Sequence, residues 1–106
     1  MTKKKVLVSG CYDLIHGGHV AFFKTAAAYG DLHVSLGRDE NLLVLKGKKP
    51  VFSEEERLYI IKSIRYVHDA FLASGNGILD FEPDIKRVNP DILIVNHDFS
   101  NRRITQ

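Results

Sequence analysis

Four short apolar runs punctuate this chain: "KVLVS" at residues 5–9, "LHVSLG" at 32–37, "VHDAFLA" at 67–73 and "DILIVN" at 91–96. The first is a near-continuous run of β-branched and aliphatic residues and reads as a buried strand; the other three also read as strands. Helix-like segments lie between them. Strands alternating with helices imply right-handed βαβ units and a parallel sheet. With 106 residues the chain supports one core. The expectation is therefore a single α/β domain over residues 1–106, a Rossmann-like doubly wound parallel sheet.

The connecting segments carry their own signals. "GHVAFFKTAAAY", residues 18–29, is rich in helix formers; Phe22 with Ala26 and Phe23 with Ala27 form an apolar face, and Gly30 stands where a C-cap belongs. "RDENLLVLKGKKP", residues 38–50, reads as a charged loop. Ser53 followed by Glu56 is a capping box, and three glutamates favour the same helix start. Leu58, Ile60, Ile61 and Ile64 continue that helix. "PDIKRV", residues 83–88, is a short helix with Pro83 in its first turn.

Composition excludes several classes. A net charge of +2 gives no electrostatic footprint for nucleic acid. No apolar run approaches the roughly 18 residues that span a bilayer. "MTKKKVLVSG" opens with basic residues, but its apolar stretch is too short for a signal peptide. A lone cysteine, Cys11, forms no internal disulfide, and the expected setting is a reducing cytoplasm.

In open α/β sheets ligands bind beyond the C-terminal ends of the strands. That rule selects residues 10–19, 37–49, 74–77 and 96–99, where glycines, histidines, lysines and aspartates gather. In "HGGH", His16 precedes the first helix and His19 lies in its first turn. A spacing of three sets both imidazoles on one side of a helix N-terminus. Unpaired N–H groups and the positive helix end suit an anion such as phosphate. Gly17 and Gly18 remove side chains where a ligand needs close backbone approach. Two other readings stay open on the residues alone: a zinc site in which Asp13 or His33 joins the histidine pair, and histidines that only cap and pack the helix.

The residues also carry a resemblance. "GCYDLIHGGH" is similar to the G-T-F-D-x-x-H-x-G-H signature of the cytidylyltransferase-like nucleotidyltransferase family. "AYGD", "RDE", "KGKKP", "EEER" and "PDILIVNHD" follow in the family's order, so the likeness covers almost the whole chain. It implies transfer of CMP or AMP from CTP or ATP to a small phosphorylated acceptor, such as glycerol 3-phosphate, a sugar phosphate or FMN, with release of pyrophosphate. His16 and His19 would bind the triphosphate and stabilise the transition state. The backbone of Gly10, Cys11 and Tyr12, with Gly17, Gly18 and Asp98, would line the nucleotide. Lys46, with Lys48 or Lys49, would neutralise phosphate charge, and Arg57 would contact phosphate. Arg57 also reads as a surface residue beside Glu54 and Glu56, the three lysines as a solvated loop, and Asp13 as a turn residue. Mg2+ is expected on the triphosphate, with no metal site in the protein itself. Nucleic acid and membrane are not expected partners; a homodimer is.

Three departures from the pattern matter. Cys11 stands where the family has threonine, and Asn96 and His97 where a glycine more often precedes the aspartate. Family members continue into a further strand and an I-S-T-T-like segment, against which Arg102 and Arg103 have no register. The chain is thus expected to be an incomplete catalytic unit, and the competing function is a non-catalytic nucleotide-binding or regulatory module.

Overall fold

The structure, a computed structural model, describes residues 4–75 and 81–95. In chain order the elements are β1 (Lys5–Gly10), α1 (Gly17–Ala27), β2 (Asp31–Leu36), α2 (Asp39–Lys46), α3 (Glu54–Lys62), β3 (Asp69–Leu72), α4 (Glu82–Val88) and β4 (Ile92–Val95). The four strands form one parallel sheet in the order β3-β2-β1-β4. The chain builds outward from β1 to β2 and β3, then returns to β1's other side for β4. The strand order reverses between β1 and β4, which makes their C-terminal ends the place where a doubly wound sheet opens a crevice.

The apolar runs of β1 and β2 have both faces covered, whereas β3 and β4 at the sheet's flanks do not: Asp69 and Leu93 are exposed. Val6, Leu7, Val8, Val34 and Leu36 are entirely buried, and Leu32 nearly so. Helix α1 adds Phe23 and Ala26 to this core, and α3 adds Ile61. Full burial of one such large side chain stabilises by roughly 1.5–3 kcal/mol. The Ser53 hydroxyl caps α3 by accepting from the Glu56 N–H at 3.2 Å, and all three glutamates lie in its first turn.

Two expectations are corrected. The segment 38–50 is not a loop throughout, for α2 occupies Asp39–Lys46. Asp39 and Glu40 complement the dipole of its first turn, and Gly47 ends it at φ 77° with its N–H on the Leu43 carbonyl. Only Asn41 and Leu42 of this helix are buried, so it lacks the broad apolar face that announces a helix in sequence. Gly30 is likewise not the cap of α1, which ends at Ala28. A Cβ at Gly30 would collide with the Lys4 carbonyl, where the chain turns into β2.

On the flank of the sheet His33 of β2 meets His68 with ring centroids 5.3 Å apart. Partial burial holds the His33 pKa below its ordinary 6.5; His68 and Lys5 push the same way, against Asp69 and Asp31. The unfolded chain therefore binds a proton near pH 6.5 that the folded chain refuses, so this contribution is complete above that pH and is lost as pH falls below it. The urea midpoint should decline between pH 7.5 and 5.5, and His33→Gln should make that decline shallower. An unchanged slope in the variant would remove His33 from the acid response.

Candidate functional site

The histidine turn is built by hydrogen bonds between the rings and the backbone. The Gly18 N–H donates to His16 Nδ1 at 3.0 Å, and the His16 N–H donates to His19 Nδ1 at 3.2 Å. Together they form a capping box in which imidazoles take the places usually held by Ser or Thr and Glu. An Nδ1 that accepts carries no proton, so this pattern assigns the ring proton of each neutral histidine to Nε2, on the far side of the ring. The centroids are 4.1 Å apart. Two N–H donors thus stand side by side at a helix start whose first turn holds no carboxylate, whereas α2, α3 and α4 each have acidic first turns. The arrangement favours negative charge.

The glycines divide their roles. A Cβ at Gly18 would lie 2.8 Å from His16 Cε1, so Gly18 makes room for the His16 ring. A Cβ at Gly17 would meet nothing within 4 Å, which leaves that face open. A Cβ at Gly10 would approach the Tyr12 ring to 2.7 Å. Tyr12 adopts φ 48° and folds back over Gly10, packing edge-on against His19 and Phe23 at 5.6 and 5.1 Å. A bulky residue in left-handed backbone costs of order 1–3 kcal/mol and persists only where its surroundings enforce it. Here the buried ring supports His19 from behind. Cys11 is buried in the same turn, with its carbonyl directed inward.

Arg57 is the largest correction. It is neither a helix-surface residue nor turned outward to a phosphate: its side chain is fully buried. Nε donates to the Phe52 carbonyl (3.1 Å), Nη1 to the carbonyls of Cys11 (2.9 Å) and Gly37 (2.7 Å), and Nη2 to Asp39 Oδ1 (2.7 Å). One guanidinium therefore joins the turn after β1, the turn after β2 and the approach to α3. Asp13 strengthens the same joint by accepting the N–H groups of Val51 (2.7 Å) and Phe52 (2.8 Å), so it ties its turn to a distant segment and does not act within that turn alone. Glu54 completes the joint, accepting the Asp39 N–H at 2.8 Å.

Sequence reasoning missed a second joint. Asp84 of α4 is fully buried and accepts from Ser35 Oγ (3.2 Å), the Ser74 N–H (3.1 Å), Ser74 Oγ (2.7 Å) and Arg87 Nη2 (3.1 Å). Arg38 and Asn41 donate to the Gly75 carbonyl at 2.6 and 3.1 Å. The turn after β3 is thus held from both sides. A serine interrupting the apolar run of β2 was the available signal.

Lys46, Lys48 and Lys49 are exposed, and all three line a cavity of about 270 Å³ with Asp13 and Leu14 of the turn that leads to His16. The structure thus brings the lysine segment against the histidine turn. His33 lies apart from it, beside His68, and among the described residues no three His, Cys, Asp or Glu side chains gather as a metal ligand set. Asp98, with Asn96, His97, Arg102 and Arg103, lies outside the described residues. No helix among the described residues is long and apolar enough to cross a membrane.

Comparison with known proteins agrees with this geometry. The cytidylyltransferase-like family matches residues 7–103, nearly the whole chain. The chain belongs to the cytidylyltransferase-like family. The FAD synthase of Pyrococcus horikoshii is 40% identical over 98 residues, 91% of this chain, and that of Methanococcoides burtonii 39% identical over 95 residues, 89% of this chain. The chain spans only 64% and 63% of those two proteins' lengths. A solved neighbour, the lipopolysaccharide core biosynthesis protein of Thermoplasma volcanium, superposes with a TM-score of 0.75 at 30% identity. That match covers 86% of this chain and 72% of the neighbour.

Proposed function

We propose that this chain carries the nucleotide site of an adenylyltransferase that joins the AMP of ATP to the phosphate of FMN, releasing pyrophosphate. The observation that carries the reading is the histidine pair, two Nε2–H donors fixed at a helix start free of acidic residues. The FAD synthase names of the relatives supply the choice of ATP and FMN over CTP and another phosphorylated acceptor.

The chemistry follows from what these residues do. A phosphate oxygen of the acceptor bonds to the α-phosphorus while the bond to the pyrophosphate oxygen breaks. The acceptor phosphate is already ionised near neutral pH, so no base is required and the chain need only align the ends and hold charge. His16 and His19 donate to the oxygens on which charge grows. Lys46, with Lys48 or Lys49, neutralises the phosphates as point charges. Gly17 leaves room for the triphosphate. Asp13 has both carboxylate oxygens occupied by backbone N–H groups, so magnesium fits here as an ion carried by the triphosphate. Such an ion would offset charge on the departing pyrophosphate.

That this reaction needs no general base makes a prediction. Incubated with ATP, the chain should release pyrophosphate with FMN, whereas riboflavin, which ends in an alcohol, should give none above the blank. Comparable rates with riboflavin would overturn the reaction class. Release with CTP and glycerol 3-phosphate but not with ATP and FMN would retain the class and replace the substrates.

A further inference from the structure

Large apolar side chains are unevenly exposed on this molecule. Of the eight that stand out among the described residues, Leu14, Leu43, Val44, Leu45 and Val51 belong to α2 or to the turns packed beside it. Clustered exposure of this kind marks a contact surface. A cavity of about 530 Å³ opens here, walled by Leu43, Pro50 and Val51, with Lys49, Asp39, Glu40 and Ser53 around it. Its volume lies within the roughly 300–1,000 Å³ of small-molecule sites.

This cavity adjoins the lysine cavity: Lys49, Pro50 and Val51 line both. Their chemistry differs. The smaller cavity gathers Lys46, Lys48 and Lys49, and its one carboxylate, Asp13, is taken up by backbone N–H groups. The larger carries Asp39 and Glu40 beside apolar walls. A phosphate is drawn to the three lysines of the first, while an uncharged body gains from the second by covering Leu43 and Val51.

We infer that the cavity of Leu43, Pro50 and Val51 holds the flat apolar ring of the acceptor, whose phosphate lies among Lys46, Lys48 and Lys49. This rests on the acceptor reading above and adds where the acceptor's body and phosphate lie. The segment 48–51 is then the ridge over which the acceptor bends from ring to phosphate.

The test uses FMN, ATP and glycerol 3-phosphate as probes, titrated against the chain and against Leu43→Ser and Val51→Ser. Both sites are exposed, so the variants should keep the parent's unfolding midpoint. Apolar contacts of this size carry about a tenfold or greater change in affinity. Each variant should lose that much affinity for FMN, while binding of ATP and of glycerol 3-phosphate stays within about twofold. FMN affinity unchanged in both variants would overturn the ring assignment and leave the transferase reading standing. Absence of both FMN and ATP binding in the parent would overturn both. A shift of either variant to a smaller species in size-exclusion chromatography would identify the patch as a contact between copies of the chain, and the assignment would fall.

Discussion

Replacing His16 or His19 with alanine should lower turnover by about two to three orders of magnitude, the usual loss for one preorganised transition-state donor. Alanine also removes a cap worth about 1 kcal/mol, so it confounds chemistry with helix stability. The reciprocal cap offers a way to separate them. Asparagine is a strong N-cap and glutamine is the ordinary partner three residues on, so His16→Asn and His19→Gln should keep the unfolding midpoint while losing the same turnover. The measurement is kcat beside a urea titration for all four variants. If the capped variants retain near-full turnover, the rings serve the helix alone.

Removing Arg57 should be the most damaging single change to stability. Arg57→Met leaves the Cys11, Gly37 and Phe52 carbonyls and the Asp39 carboxylate without their donor. Breaking a buried charge pair from one side costs about 3–5 kcal/mol, against total stabilities of about 5–15 kcal/mol for native domains. Asp39 is partly exposed, with 39% of its side chain accessible, so water softens its share and Asp39→Asn should cost clearly less. Arg57→Lys should restore little, because an ammonium cannot aim at four acceptors lying in several directions. Urea midpoints for the three variants decide this. A midpoint for Arg57→Lys equal to the parent's would mean that charge alone, and not the fork, holds the turns together.

Arg57 also illustrates where the sequence stopped being readable. Its neighbours Glu54, Glu55 and Glu56 gave it the look of a solvated helix face. Yet Ile61, one turn on, is fully buried, and a residue four positions before a core residue shares its face. The chemistry of the inner face was hidden because its acceptors are carbonyls of turns distant in sequence, and carbonyls leave no mark on residue identity. The histidine turn was legible for the opposite reason: its partners lie within three residues, so spacing alone placed both rings. Helix α2 fell between these cases. Asp39, Glu40 and Gly47 were proper start and stop signals, but a helix of eight residues with two buried positions has almost no periodicity to detect. Asp84 depended on Ser35, 49 residues earlier, and no local pattern joins them.

The pairing of β1 with β4 has a consequence for how the molecule is made. β1, β2 and β3 can assemble from contiguous chain, but β4 docks on β1 from the far end; the Lys5 N–H donates to the Asp91 carboxylate across 86 residues. Contacts of such separation close slowly. During synthesis the inner strand of the sheet therefore waits with one hydrogen-bonding edge bare, the kind of edge that invites pairing with a foreign chain. That edge runs directly into the histidine turn. The crevice of the proposed nucleotide site is therefore slow to shut, and a nascent chain is exposed there until its fourth strand arrives.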